Sequence, residues 1–105
     1  MATVTQAVLT RTAAATSSTT LYTVPNTTTV AVVTNIVLAN TATSASSATV
    51  AIDGIAIVPT VSIPANSLVG FDVKQVIPAN ATPKTITGYA STTAVTIHIS
   101  GVEIS

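Results

Sequence analysis

The residues of this sequence that could transfer protons or bind a metal are few and far apart. Its only histidine is His98, and its acidic residues are Asp53, Asp72 and Glu103. A metal site needs several such ligands together, and a catalytic triad needs a nucleophile and a carboxylate in register with the histidine. His98 alternates with apolar residues, which is typical of a strand residue on a surface or an interface. The sequence therefore predicts no catalytic, cofactor-binding or metal-binding residues, and no enzyme.

Each acidic residue has a simpler structural interpretation. Asp53 precedes Gly54, and both residue types accept the positive φ angles of a two-residue hairpin turn. Asp72 and Lys74 are two positions apart on one strand and so share a face, where a surface ion pair contributes about 0–1 kcal/mol. We interpret Glu103, near the end of the last predicted strand, as a solvated charge; a subunit contact is the alternative.

The three aromatic residues bear on carbohydrate binding, which usually uses aromatic side chains and polar groups that converge on one pocket. Phe71 is predicted to lie in the core. Tyr22 and Tyr89 are predicted to be half-buried with their hydroxyl groups in water, the common environment of tyrosine. A stand-alone carbohydrate-binding module that uses these tyrosines is therefore kept only as an alternative.

The composition argues against several classes of partner. Only 6% of the 105 residues are charged, the formal net charge is zero, and the mean hydropathy is +0.69. Nucleic-acid binding depends on several cations that neutralise phosphates, and this chain has three. It has no cysteine, no apolar run of the roughly 20 residues that a membrane helix needs, and no basic leader. We expect neither nucleic-acid nor membrane binding, and no export by a cleaved leader.

The residue types favour strands along the whole chain. Threonine occurs 22 times, valine 15 times and isoleucine 10 times, and these β-branched residues fit a pleated sheet better than a helix. Turn signals recur every eight to twelve residues or so, the spacing of short strands in a sandwich or barrel. The predicted strands lie near residues 3–10, 19–24, 29–40, 47–53, 55–61, 67–77, 84–90 and 93–104.

This pattern predicts an all-β fold, a single small β-sandwich of about eight short antiparallel strands in a jelly-roll or an immunoglobulin-like order. Residues 1–18 are predicted to form an N-terminal arm or first strand and a mobile link, and residues 19–105 the sandwich domain. The arm would pair either with this domain or with a neighbour.

Prolines and asparagines mark the corners between the predicted strands, at residues 24–29, 63–68 and 77–82. Proline fixes φ and asparagine tolerates left-handed conformations, so each segment is typical of a turn. Asn26 and Asn80 also begin Asn-x-Thr sequences, which accept glycans only in a eukaryotic secretory route. Without a leader, we interpret both as turn residues.

Two segments make sharper predictions about packing. Around the Asp53 turn, the sequence TVAIDGIAIV offers four residues for the core, namely Val50, Ile52, Ile55 and Ile57. Strand 29–40 is apolar on both sides. Strict alternation would put Val30, Val32, Thr34, Ile36 and Leu38 on one face and Ala31, Val33, Asn35, Val37 and Ala39 on the other. Neither of these faces is suited to water.

The edges of the predicted sandwich have few charged residues to protect them. Free-standing sheets blunt their edges with lysine, inward charges or short strands, and this chain has only Arg11, Lys74 and Lys84. We therefore expect neighbouring subunits to cover several edges and an apolar patch.

Four segments of the sequence resemble one known group of proteins. They are TTLYTVPNTTTVAVVTNIVLANT, SATVAIDGIAI, SIPANSLVGFDVKQVI and the terminal VTIHISGVEI, which together cover roughly residues 19–104. The pattern is similar to that of small structural proteins of tailed bacteriophages: a Leu-Tyr-x-Val-Pro entry, a long strand that ends in an Asn-Thr loop, a short hairpin, and a closing Ser-Gly-Val-Glu-Ile.

The resemblance implies a virion protein, assembled in the bacterial cytoplasm, that decorates the capsid like a cement protein or forms part of a tail or fibre. The implied partners are the major capsid protein or other virion subunits, and further copies of the chain, with a trimer as the first expectation. The N-terminal stretch is a candidate for strand addition to a neighbour. In a tail or fibre, the loop at 40–48 could contact a receptor.

Overall fold

Eight strands and no helix make up the part of the chain described by the structure, a computed structural model that covers residues 4–25 and 27–104. The strands are β1 (Val4–Ala13), β2 (Thr19–Thr23), β3 (Val30–Asn40), β4 (Ser46–Ile52), β5 (Ile55–Ile63), β6 (Ser67–Ile77), β7 (Thr85–Ala90) and β8 (Val95–Ile104). The predicted strands match these within a few residues, so the all-β prediction is confirmed. Residue 3 and Asn26 lie outside the described residues.

The strands form two antiparallel sheets of four. Sheet I has the order β1-β8-β3-β6, and sheet II has the order β2-β7-β4-β5. The first strand pairs with the last, β2 with β7, β3 with β6, and β4 with β5. The chain is thus a long ribbon folded back at the β4–β5 turn and rolled into two sheets. This is the jelly-roll order, one of the two orders that the sequence left open.

The turn at the centre of this ribbon is the predicted hairpin. Asp53 and Gly54 have φ angles of 54° and 76°, as a two-residue hairpin turn requires. Val50 is fully buried, but Ile55, which we predicted to be a core residue, is 73% exposed. The reason is its position, because Ile55 is the first residue of β5, an edge strand with a neighbour on one side only.

A β-bulge in β3 changes which residues face the core. The register of β3 against β8 shifts between Val33 and Asn35, so Thr34 is an extra residue that lies exposed. Before the bulge Ala31 and Val33 are fully buried, and after it Ile36 and Leu38 are. Strict alternation through Thr34 was therefore wrong, since one inserted residue reverses the facing of every side chain that follows.

Gly101 on β8 allows the close approach of the strands beside this bulge. It pairs with Val33, and a Cβ built on Gly101 would come within 2.0 Å of the carbonyl oxygen of Val32. Backbone atoms cannot move away as a flexible side chain can. Only glycine therefore fits at this position, as is common where two backbones approach closely.

Strand β1 lies at the edge of sheet I and pairs with β8 from Val4–Ile104 to Ala13–Thr96. Of the predicted segment 1–18, residues 4–13 therefore pair within their own sandwich, and strand addition to a neighbour would require β1 to leave β8. Hydrogen bonds hold the chain that follows: Ala14 N donates to Val95 O at 2.8 Å, and Ala90 N donates to Ala15 O at 2.9 Å. A unit boundary at residue 19 stays a prediction.

The core between the sheets is mainly aliphatic, with Thr29 as a buried hydroxyl side chain. The largest fully buried side chains are those of Val24, Thr29, Val33, Ile36, Leu38, Val50, Ile63, Ile77, Ile86, Val95, Ile97 and Ile99. Phe71, predicted to be a core residue, is only partly buried and packs against this cluster from β6. In the described ranges, no helix is long and apolar enough to cross a membrane.

Candidate interaction surface

The single histidine lies on the outer face of sheet I. On β8, Val95, Ile97 and Ile99 are fully buried, while Thr96 and His98 point outward and are half-buried. The Nε2 atom of His98 is 3.1 Å from the hydroxyl oxygen of Thr96. The predicted facing of β8 is therefore confirmed. Within residues 4–25 and 27–104, no three histidine or acidic side chains lie close enough together to hold a metal ion.

Glu103 is not the solvated charge that we predicted. It is half-buried and pairs with Ala31 of β3 and Thr5 of β1, which puts its side chain on the inner face of sheet I. There it accepts a hydrogen bond from the hydroxyl group of Tyr22, which comes from β2 in sheet II. The Tyr22 hydroxyl is thus bonded to protein, whereas we predicted it to be in water. Burial raises the pKa of Tyr22, and its hydrogen bond to Glu103 and the charge of that residue raise it further.

Asp53 and Asp72 have different partners. Asp53 also forms an ion pair with Lys84, with 3.3 Å between its Oδ1 atom and Nζ, in addition to its role in the turn. Asp72 accepts a hydrogen bond from Nδ2 of Asn35 at 3.2 Å. Its predicted neighbour Lys74 lies on the same exposed face of β6, and the two form no ion pair in the described chain. Asp72 and Lys74 are thus both open to an outside partner.

Asn40 was not singled out in the sequence, yet it joins three segments at one end of the sandwich. Its side chain is 2% exposed. The Nδ2 group donates to the carbonyl oxygens of Ser44, Ile63 and Pro64 at 3.0–3.2 Å, and Oδ1 accepts from the backbone N–H of Ala42 at 3.0 Å. An asparagine at the end of an apolar strand, just before a loop, was the only sequence signal available. The loop after β3 is therefore anchored at its base.

The outer face of sheet I carries a group of aliphatic side chains at one end, which we call the valine patch. The pairing of the strands brings its members into adjacent rows, Val4–Ile104–Val30 and Val102–Val32–Val76, with Val8 in the next row. Val4, Val8 and Val76 are 65%, 54% and 57% exposed. The half-buried Val30, Val102 and Ile104 lie between them, and Gln6 separates Val4 from Val8 on β1. An exposed apolar group of this kind is typical of interaction sites.

The outer face of sheet II is different in character. Its rows contain hydroxyl side chains, with Thr20 beside Thr87 and Thr49 beside Tyr89. The hydroxyl oxygens of Thr49 and Thr60 are 2.9 Å apart. This face is uncharged but can hydrogen-bond to water. The sandwich therefore has one outer face suited to water and one with an apolar patch.

The two tyrosines do not form a common platform for a sugar. Tyr22 pairs with the buried Ile86, so it faces the core. Tyr89 pairs with Thr49 on the opposite face of the same sheet, and it is 38% exposed. The convergence of aromatic groups that a carbohydrate site would use is therefore missing for this pair.

Comparisons with known proteins agree on the fold. No protein-family model and no curated protein sequence matches the chain. A chain in the structure of the Gx strain of infectious bursal disease virus is similar, with a TM-score of 0.57 and 13% identity over 99% of this chain and 33% of that one. A chain in the crystal structure of the T13 particle of the same virus has a TM-score of 0.57 and 14% identity, over 98% of this chain and 31% of that one. This chain thus spans about a third of the length of either, and at this identity the likeness shows the fold alone.

Proposed function

We propose that the protein is a non-enzymatic structural component of a virus particle and that its valine patch packs against other subunits of that particle. The observation that carries this proposal is the contrast between the two outer faces, one hydroxyl-rich and one with exposed Val4, Val8 and Val76. The similar folds in two structures of virus particles support it.

The mechanism is the removal of apolar surface from water. Each Å² of apolar area buried contributes about 25 cal/mol, from which the costs of ordering and association are subtracted. A sheet suits this task because its side chains are held on a hydrogen-bonded backbone before binding. Val32, which is only 8% exposed, and the half-buried Val102 lie in the middle strands of sheet I and would support the contact from within. The more exposed Val4 and Val76 would contribute most of the buried area.

The finer proposal is a capsid decoration protein of a tailed bacteriophage that binds the assembled head through the major capsid protein. The four segments that resemble small phage structural proteins support this choice. A shell offers many equivalent subunits, and a decoration protein stabilises it by bridging them. The alternative is a tail or tail-fibre module, in which the same patch would pack against tail subunits.

Counting and locating the protein in purified particles tests both levels of the proposal. Quantitative mass spectrometry would give the copies per particle, and gold-labelled antibody would give their position. Hundreds of copies over the head would support the decoration role. A handful confined to the tail would overturn it in favour of the tail module. Particles that lack the protein altogether would overturn the structural role itself.

A further inference from the structure

The four edge strands of the sandwich differ in how open they are to another strand. In sheet II, β2 has only five residues, and β5 contains Pro59 and a positive φ angle of 41° at Thr60. Short strands, proline and irregular backbone all hinder pairing. In sheet I, β1 and β6 are long, with 10 and 11 residues. Only these two edges offer an extended run for strand pairing.

Each of these two strands has one register irregularity against its neighbour: β1 has an extra residue, Leu9, opposite β8, and β6 has two residues, Val73 and Lys74, opposite Thr34 of β3. The side chains of β6 nevertheless keep strict alternation, and its even-numbered residues, Leu68 to Val76, are all exposed on the outer face. No described strand lies beyond β6 in the order of sheet I. Its outward backbone edge is therefore free to continue the sheet.

Strand β6 differs from the other edge strands in that it carries charged side chains of both signs. Asp72 and Lys74 lie in one exposed row of β6 and are of opposite sign, whereas the only charged side chain of β1 is that of Arg11. When two identical strands pair antiparallel about a two-fold axis, a residue one position before the axis faces the residue one position after it in the other copy. If the axis passes through Val73, Asp72 of each copy therefore faces Lys74 of the other. Opposite charges in such directly facing pairs stabilise a sheet.

We propose that β6 pairs antiparallel with β6 of a second copy of this chain, with the two-fold axis at Val73. Asp72 of each copy then faces Lys74 of the other. The contact is isologous, as closed dimers require. The result is a continuous eight-stranded sheet made from the two copies of sheet I, a dimer in place of the trimer that the resemblance implies.

The neighbouring residues fit this register. Val76 of one copy stands opposite Gly70 of the other, where there is room, because a Cβ at Gly70 would have no heavy atom closer than Val37 Cγ2 at 3.8 Å. Phe71 stands opposite Gln75, which lines an open crevice with Ile55 and other hairpin residues. The exposed Ile55 would thereby gain an aromatic neighbour across the axis. The dimer also brings two valine patches onto one surface, which extends the proposed function without depending on it.

Charged residues on an edge can also have the opposite role, protecting it from association. That role is best served by charges of one sign, because like charges facing each other repel in every register. Asp72 and Lys74 on one face of β6 are instead self-complementary in the antiparallel arrangement. The association state of the purified protein distinguishes the two roles.

Charge reversal tests the proposed register. Sedimentation equilibrium of the wild-type protein should give a dimer. Asp72→Lys alone and Lys74→Asp alone each put like charges opposite one another, so the dissociation constant should rise by about tenfold or more. Thr20→Lys, on the exposed outer face of sheet II, is the matched control and should leave the dimer unchanged. Thermal unfolding of each variant monitors its fold.

Mixing the two single variants gives the decisive result. One variant would carry two lysines in the row and the other two aspartates, so an equimolar mixture should form a heterodimer about as tightly as the wild type. The double variant, Asp72→Lys with Lys74→Asp, should recover the homodimer. A wild-type protein that stays monomeric at high concentration would overturn the proposal. So would single variants that dimerise normally, or a mixture that does not associate.

Discussion

At the scale of single residues, the pair formed by Tyr22 and Glu103 links the two sheets near one end of the sandwich. From the residue types alone, we predicted Glu103 to be a solvated charge. Its inward position follows from the register of β8 against β1 and β3, whose paired residues are more than 70 positions away in the chain. By contrast, the buried facing of Val95, Ile97 and Ile99 needed only local alternation, and the sequence predicted it correctly.

Replacing Tyr22 with phenylalanine should lower the free energy of unfolding by about 1–2 kcal/mol. The substitution keeps the ring but removes the donor to Glu103, and hydrogen bonds to charged groups exceed neutral ones in strength. Tyr89→Phe is the matched control, because Tyr89 is exposed and should change stability by less than about 0.5 kcal/mol. Urea unfolding at neutral pH measures both. Equal effects of the two substitutions would contradict the role of the Tyr22 bond.

The same pair gives the protein a dependence on alkaline pH. The folded pKa of Tyr22 is raised, so the folded state keeps the phenol proton after the unfolded chain, with a pKa of about 10, has lost it. The stabilisation is therefore complete below about pH 10 and is lost as pH rises toward the folded value. Urea unfolding between about pH 8 and 11 brackets the unfolded pKa of about 10. Over that range, the wild type should lose stability with rising pH more steeply than Tyr22→Phe.

At the scale of elements, the sequence predicted strands and turns but not their irregularities. The strand at 29–40 was placed almost to the residue, and the turn at Asp53 was correct. The bulge at Thr34 was missed because it depends on how β3 fits against β8 around Gly101. Such a fit is a property of two distant segments, and local alternation carries no signal of it.

Asn40 gives a prediction for the loop between β3 and β4. Asn40→Asp should destabilise the fold by about 3 kcal/mol or more, because a buried carboxylate would face three carbonyl oxygens with no donor between them. Asn80→Asp is the matched control. Asn80 is exposed, and its Oδ1 atom accepts from the N–H of Thr82, a bond that aspartate keeps. Thermal and urea unfolding compare the two, and a loss below about 1 kcal/mol for Asn40→Asp would contradict the anchoring role.

At the scale of the whole molecule, composition predicted a sandwich but not which outer face of its sheets would be suited to water. Threonine and valine are both abundant along the chain, and only the jelly-roll order sorts them, with hydroxyl groups outside sheet II and the valine patch outside sheet I. The sorting depends on pairings between the two ends of the chain. The small number of titratable side chains was evident from composition alone, and within residues 4–25 and 27–104 no three histidine or acidic side chains cluster.

The proposed role requires other subunits to cover the valine patch while the hydroxyl-rich face stays in water. The chain has no cysteine, so single cysteines at exposed positions, Val8→Cys in the patch and Thr20→Cys on the other face, report on each surface. Maleimide labelling should modify both in the free protein. In assembled particles, the cysteine at position 8 should be protected and the one at position 20 should react as before. If the cysteine at position 8 reacts equally fast in the free protein and in particles, the proposed role of the patch is contradicted.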